Sequence, residues 1–121
     1  MRVPAFMIVV LCAMLAACNE GVRPYQVSGG NAEQGRRLIA QFQCGACHAI
    51  PGVSEAAGGA GPALRGFGRR SYIAGRIPNL PDPLTRWLVN PPAMKPGTLM
   101  PAMGISESDA RHMAAYLYTL Q

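Results

Sequence analysis

At 121 residues and a formal charge of +5, the chain has room for one domain, and its 50% hydrophobic content can supply a single core. Its 11 basic residues form no dense stripe, which excludes the electrostatic footprint of a nucleic-acid binder and leaves a modest preference for acidic partner surfaces. Two histidines and six acids assemble no Ser/His/Asp triad or carboxylate pair, so hydrolytic chemistry is excluded as well.

Taken in chain order, Arg2 precedes an almost unbroken apolar run from Val3 to Ala17, too short for a comfortable membrane span and matching a signal-peptide core. Export is the expectation. The run ends Leu15-Ala16-Ala17-Cys18, which resembles the bacterial lipoprotein box, and the resemblance implies cleavage before Cys18 and lipid on its sulfur. The other readings are an ordinary signal peptide or an uncleaved anchor. Loss of residues 1–17 removes Arg2 and leaves a charge of about +4. Asn19 stands where an aspartate would resemble an inner-membrane retention signal, which favours the outer membrane of a Gram-negative host. The expected location is thus the periplasmic face of a bacterial envelope, with residues 18–30 as lipidated cysteine and tether. Asn19 to Gly30 (NEGVRPYQVSGG) shows no period, and such a segment wanders roughly 20 Å and stretches to about 40 Å.

The head is expected over residues 31–121. Asn31 offers an N-cap, Glu33 sits in the first turn, and Leu38, Ile39 and Phe42 recur at helical spacing with Arg36 and Arg37 turned outward. From Ala49 to Leu80 the chain is rich in glycine and proline and has no sustained period. So long an irregular stretch argues against a compact domain unless a bound cofactor fills the core. Pro83 to Val89 can form a short helix stopped by Asn90, Pro91 and Pro92, and Met94 to Gly104 reads as loop. Ser106 to Asp109 resembles a capping box, followed by an apolar stripe of Ala110, Met113, Ala114, Leu117 and Leu120. No segment shows strand alternation. The fold class expected is all-α.

Cys12 lies in the signal and Cys18 in the lipoprotein box, which leaves Cys44 and Cys47 in the run Cys44-Gly45-Ala46-Cys47-His48. On a helical turn the two sulfurs share a face and reach the two vinyl groups along one porphyrin edge, while His48 offers an imidazole to the iron. One covalent haem c is the cofactor this motif predicts. Zinc would need four ligands, and the only further imidazole, His112, sits opposite the apolar stripe and reads as a solvated helix residue. A redox-active dithiol would want a preceding strand in a βαβ setting. A structural disulfide would leave His48 and the glycine-rich middle unexplained.

With that motif following a short helix and a capped helix closing the chain, residues 31–121 resemble a class I c-type cytochrome. Gly35 and Phe42, with Tyr116 and Leu117, resemble the residues that pack the first helix on the last. Gly61-Pro62-Ala63-Leu64 resembles the family's glycine-proline-x-leucine stretch, which implies that the Pro62 carbonyl accepts the His48 N–H and that Leu64 covers a haem face. The resemblance also implies that Trp87 hydrogen-bonds a propionate, with Arg76 a second candidate for that acid; plain core filling is the other reading of Trp87. Met94, Met100 and Met103 all precede the last helix, and each could bring a thioether toward the iron or simply fill the core. Met100-Pro101 matches the family's Met-Pro step, which implies Met100 as the sixth ligand and Met103 as its rival. Arg65, Arg69, Arg70 and Arg76 either rim an exposed haem edge or form a solvated loop face.

His/Met ligation leaves no position for a substrate, so the expected role is electron transfer and not enzymatic turnover. The expected partners are a donor dehydrogenase or quinol-oxidising complex and an acceptor oxidase or reductase, met at the membrane through the lipid. The alternative is a haem c subunit held permanently in an oxidoreductase complex. A gas sensor or peroxidase would need an open sixth position.

Overall fold

The computed structural model describes residues 24–121, so the signal segment and Cys18 lie outside the described residues. The first helix, α1 (Ala32–Gln41), is capped by the Asn31 side chain, which accepts the Gln34 N–H at 2.8 Å. It ends where Gln43 turns into the left-handed region, and a single 3-10 turn, Cys44–Ala46, follows at once. After a long loop comes a second 3-10 turn, Phe67–Arg69, and then a small antiparallel ribbon of β1 (Tyr72–Ile73) and β2 (Ile77–Pro78), with Ile73 opposite Ile77. The sequence announces no strand here because two-residue strands are too short to show alternation.

Helix α2 (Pro81–Val89) starts two residues ahead of the expected Pro83, since prolines are tolerated throughout a first turn, where the N–H groups have no intrahelical acceptor. Asn90 ends it and caps a further turn, α3 (Pro91–Met94), by accepting the Ala93 N–H at 3.2 Å. The two prolines expected only to stop a helix therefore also start one. Ser106 caps α4 (Glu107–Thr119), taking the Asp109 N–H at 3.1 Å as the capping-box pattern implies. The architecture is all-α, with the ribbon as its only sheet among the described residues. None of these helices is long and apolar enough to cross a membrane.

The main interface is α1 against α4. The expected stripe of Ala110, Met113, Ala114, Leu117 and Leu120 is buried, joined by Tyr116 and Tyr118, and it meets Ile39 of α1 and Leu84 and Leu88 of α2. Gly35 sits at the crossing, where a Cβ would overlap the backbone carbonyl of His112. Gly35→Ala is therefore expected to destabilise the fold by about 1–3 kcal/mol although alanine favours helix, because a helix backbone cannot yield as a side chain can. A thermal midpoint lowered by about 4 °C or more would show it, and an unchanged midpoint would mean that the helices can separate freely.

Two expectations are corrected at this interface. His112 is not a free surface residue: its Nδ1 accepts the backbone N–H of Asn31 at 2.9 Å, holding the start of α1 on α4. Nor is the tether free along its whole length. Val27 packs against the core, Tyr25 meets Tyr118 edge-on with ring centroids 5.2 Å apart, and Gly30 passes so close to Arg111 and Ala115 that a Cβ there would touch both. Glycine and polar composition hid this docking because its contacts are long-range.

Candidate haem site

The glycine-rich loop is ordered by the cysteine motif itself. Four backbone bonds lay it over that segment: Gly58 N–H to the Gly45 carbonyl (3.0 Å), Ile50 to Ala56 (3.0 Å), Gly61 to Cys47 (2.8 Å) and Leu64 to Ala49 (2.8 Å). Half-buried Cys44 opens the 3-10 turn and exposed Cys47 caps it, and residues three apart in that geometry eclipse each other, so both sulfurs serve one side. His48 follows, its backbone N–H bonded to the Cys44 carbonyl at 3.0 Å. Its Nδ1 stands 2.7 Å from the Pro62 carbonyl. A carbonyl can only accept, so Nδ1 carries the proton and Nε2 keeps its lone pair for a metal. Gly61 leaves room for this, since a Cβ there would run into the imidazole ring.

Cys44, Cys47 and His48 form one wall of a cavity of about 600 Å³, within the usual range for a cofactor site. Core residues Ile39, Leu84, Trp87, Leu88, Met113 and Leu117 turn a side toward it, and Pro62 and Leu64 line it near His48. Met100 lines it as well, with Leu99 and Pro101 beside it. Met103 is exposed and Met94 packs against the core; neither lines the cavity. Trp87 is 7% exposed and lines the cavity as part of the core, so core filling and a place in the cavity wall coincide in one residue.

Arg76 is exposed in the turn of the ribbon and does not line the cavity. The cations that do are Arg70 and Lys95. Of the four arginines grouped by sequence, Arg65, Arg69 and Arg76 face solvent, while Arg70 turns inward, donates to the Ala63 and Arg65 carbonyls and lies over the Phe67 ring at 5.7 Å. Asn79, also unforeseen, is buried and donates to the Phe67 and Arg70 carbonyls at 3.1 and 3.0 Å, tying the ribbon to this rim. Nothing local in the sequence marks Asn79 or Lys95, because each acts on a segment distant along the chain.

The alternative chemistries find little here. Burial pushes the Cys44 thiol up, the reverse of what a reactive dithiol needs. No group of three or more His, Cys, Asp or Glu side chains that could hold a metal occurs among the described residues. An apolar cavity with two thiols and an imidazole on one wall and a thioether on it besides suits a flat, covalently held macrocycle with iron at its centre.

The sequence profile of the cytochrome c family matches residues 32–121. The chain belongs to the cytochrome c family. This cytochrome is 40% identical over 91 residues to cytochrome c oxidase subunit 2 of Alkalihalophilus pseudofirmus OF4, a match covering 74% of the chain and 26% of that protein. It is 33% identical over 89 residues to cytochrome c oxidase subunit 2 of Bacillus subtilis 168, covering 72% of the chain and 25% of that protein. The chain thus spans about a quarter of the length of these relatives. Membership brings a covalently bound haem c, with Cys44 and Cys47 in place to attach it, and electron transfer as its role.

Proposed function

We propose that this cytochrome is a lipid-anchored carrier at the periplasmic face of a bacterial envelope, taking electrons from a dehydrogenase or quinol-oxidising complex and passing them to an oxidase or reductase. The observation that carries the reading is a cavity offering His48, with Nε2 free, and the Met100 thioether together. Bound there, haem c supplies a one-electron iron couple. Cys44 and Cys47 would hold it by thioether bonds, the Pro62 carbonyl holds the His48 ring in one tautomer and orientation with Nε2 available to the iron, and Met100 would offer its thioether as the second protein ligand. A soft sulfur ligand favours the ferrous state and leaves no site for a substrate, so the residues around the cavity serve the electron and do no bond chemistry. The apolar wall of Ile39, Leu84 and Leu88 keeps water from the centre.

The anchor is tested at Cys18. Cys18→Ser is expected to release the protein from washed membranes with an unchanged haem spectrum, and to slow oxygen uptake by those membranes, since stable attachment takes more than one acyl chain. Retention of the variant after a salt wash would favour an uncleaved anchor.

A second reading has its own support: both relatives are oxidase subunits that contain a stretch similar to this domain. On that reading the domain is a fixed wire within a terminal oxidase. Detergent extraction distinguishes the two. A carrier elutes alone, whereas a subunit elutes with the other subunits of an oxidase at constant ratio.

A further inference from the structure

The segment that presents Met100 has few bonds of its own. Between the end of α3 at Met94 and buried Ile105, the chain runs through Lys95-Pro96-Gly97-Thr98-Leu99, and Leu99 is 96% exposed. What order it has passes through Lys95. The Lys95 N–H is held by the Pro91 carbonyl at 2.9 Å, its own carbonyl accepts the Thr98 N–H at 3.1 Å, and the Thr98 hydroxyl accepts the Met100 N–H at 3.3 Å. The Lys95 ammonium meanwhile leaves its own segment and donates to the carbonyl of Ala74 at 3.0 Å, 21 residues away at the tip of the β1–β2 ribbon.

That acceptor is unusual. Ala74 has φ of +50°, a left-handed conformation that a residue with a Cβ adopts only at a cost. Ala74, Lys95, Thr98 and Met100 all line the cavity, so the bond joins two loops that border the same space. Lys95 is half-buried and makes no salt bridge among the described residues, so its charge is directed to this carbonyl. A charged donor on a carbonyl is about twice as strong as a neutral pair.

We propose that Lys95 is a positioning residue: its bond to Ala74 latches the Met100 loop to the ribbon and sets how readily the methionine sulfur leaves the iron. The proposal rests on Met100 as the sixth ligand. Without the latch, the Lys95–Thr98–Met100 relay has no side-chain tie to the ribbon, and the thioether should dissociate more often while the core under α1 and α4 stays intact.

The test compares purified holoprotein of wild type, Lys95→Met, which keeps the length of the stem, and Lys95→Arg, which keeps a cation able to reach a carbonyl. The readouts are the rate of carbon monoxide uptake by the reduced protein, which waits on sulfur departure, and amide hydrogen exchange of Thr98 and Met100. Lys95→Met is expected to take up carbon monoxide about tenfold faster, the scale of one lost hydrogen bond from a charged donor. Exchange at Thr98 and Met100 should rise by a similar factor, amides of α1 and α4 should be unaffected, and Lys95→Arg should recover most of both effects. Thr98→Val, which removes the hydroxyl that accepts the Met100 N–H, should reproduce the faster uptake. Uptake within twofold of wild type in Lys95→Met would overturn the latch. So would a changed reduction potential at unchanged uptake, which would assign the ammonium to the haem charge, or exchange raised equally across all helices, which would make it a general structural contact. If instead the wild-type iron binds carbon monoxide at once, the ligand assignment has failed; protection of Thr98 and Met100 lost in Lys95→Met would still report the latch.

Discussion

Replacing Met100 with alanine is expected to turn an electron carrier into a ligand-binding haem protein. The wild-type ferric protein should show the weak far-red band of methionine-to-iron charge transfer, and its reduced form should bind carbon monoxide poorly. In Met100→Ala the band should vanish and carbon monoxide should bind readily, because the cavity wall that Met100 supplies is no longer a thioether. The potential should fall, on the order of a tenth of a volt or more within the roughly 0.8 V that axial ligands govern, since ferrous iron loses its soft partner. Folding should survive, because Met100 is only half-buried and two thioethers with His48 still hold the cofactor. Met103→Ala is the first control: the side chain is 45% exposed and its loss should change stability by about 0.5 kcal/mol or less. Met94→Ala, packed on the core, should cost about 1–3 kcal/mol and leave the band intact. Disappearance of the band in Met103→Ala would move the ligand three residues along. A wild-type protein that already binds carbon monoxide readily would favour a sensor or peroxidase.

The double variant Cys44→Ala, Cys47→Ala is expected to lose covalent haem and with it the fold. The helices do not close on each other alone; Ile39, Leu84, Trp87, Leu88, Met113 and Leu117 all turn a side to the cavity. At about 24 cal/mol per Å³, a dry cavity of about 600 Å³ would cost at most about 14 kcal/mol, as much as the whole stability of a domain this size. Haem staining on a denaturing gel and far-ultraviolet circular dichroism check the two halves of the expectation. Staining that persists in the double variant would sink the attachment through these cysteines, and a native helix signal without haem would show that the core closes without it.

The parts of the fold written in local pattern were legible from the sequence. Asn31 and Ser106 as caps, the α4 stripe and the cysteine motif each depend on residues within about four positions of one another. So was the need of the irregular middle for a cofactor, since Ile50, Pro62, Leu64, Phe67 and Ile73 along it all line the cavity. What escaped notice is long-range. His112 looks solvated on a helical wheel because its partner, the Asn31 N–H, is 81 residues away. Lys95 and Asn79 carry no local signature because their acceptors lie in the ribbon and its rim. The four arginines from Arg65 to Arg76 look alike in sequence, whereas the turn between β1 and β2 leaves Arg76 in solvent and Arg70, at the end of the preceding 3-10 turn, is turned in.

The docked segment from Tyr25 to Gly30 has a consequence for how the domain can be joined to other proteins. It lies along α4, with Tyr25 against Tyr118 and Gly30 against Ala115, so the polypeptide comes into the domain beside the helix by which it leaves. Neither Tyr25, Val27 nor Tyr118 borders the cavity. The entering segment and the end of α4 therefore lie side by side, and the contacts that join them take no part in the cavity wall. A domain so arranged is portable: it can be spliced behind a longer polypeptide, or stand apart from one, with its redox centre presented in the same way.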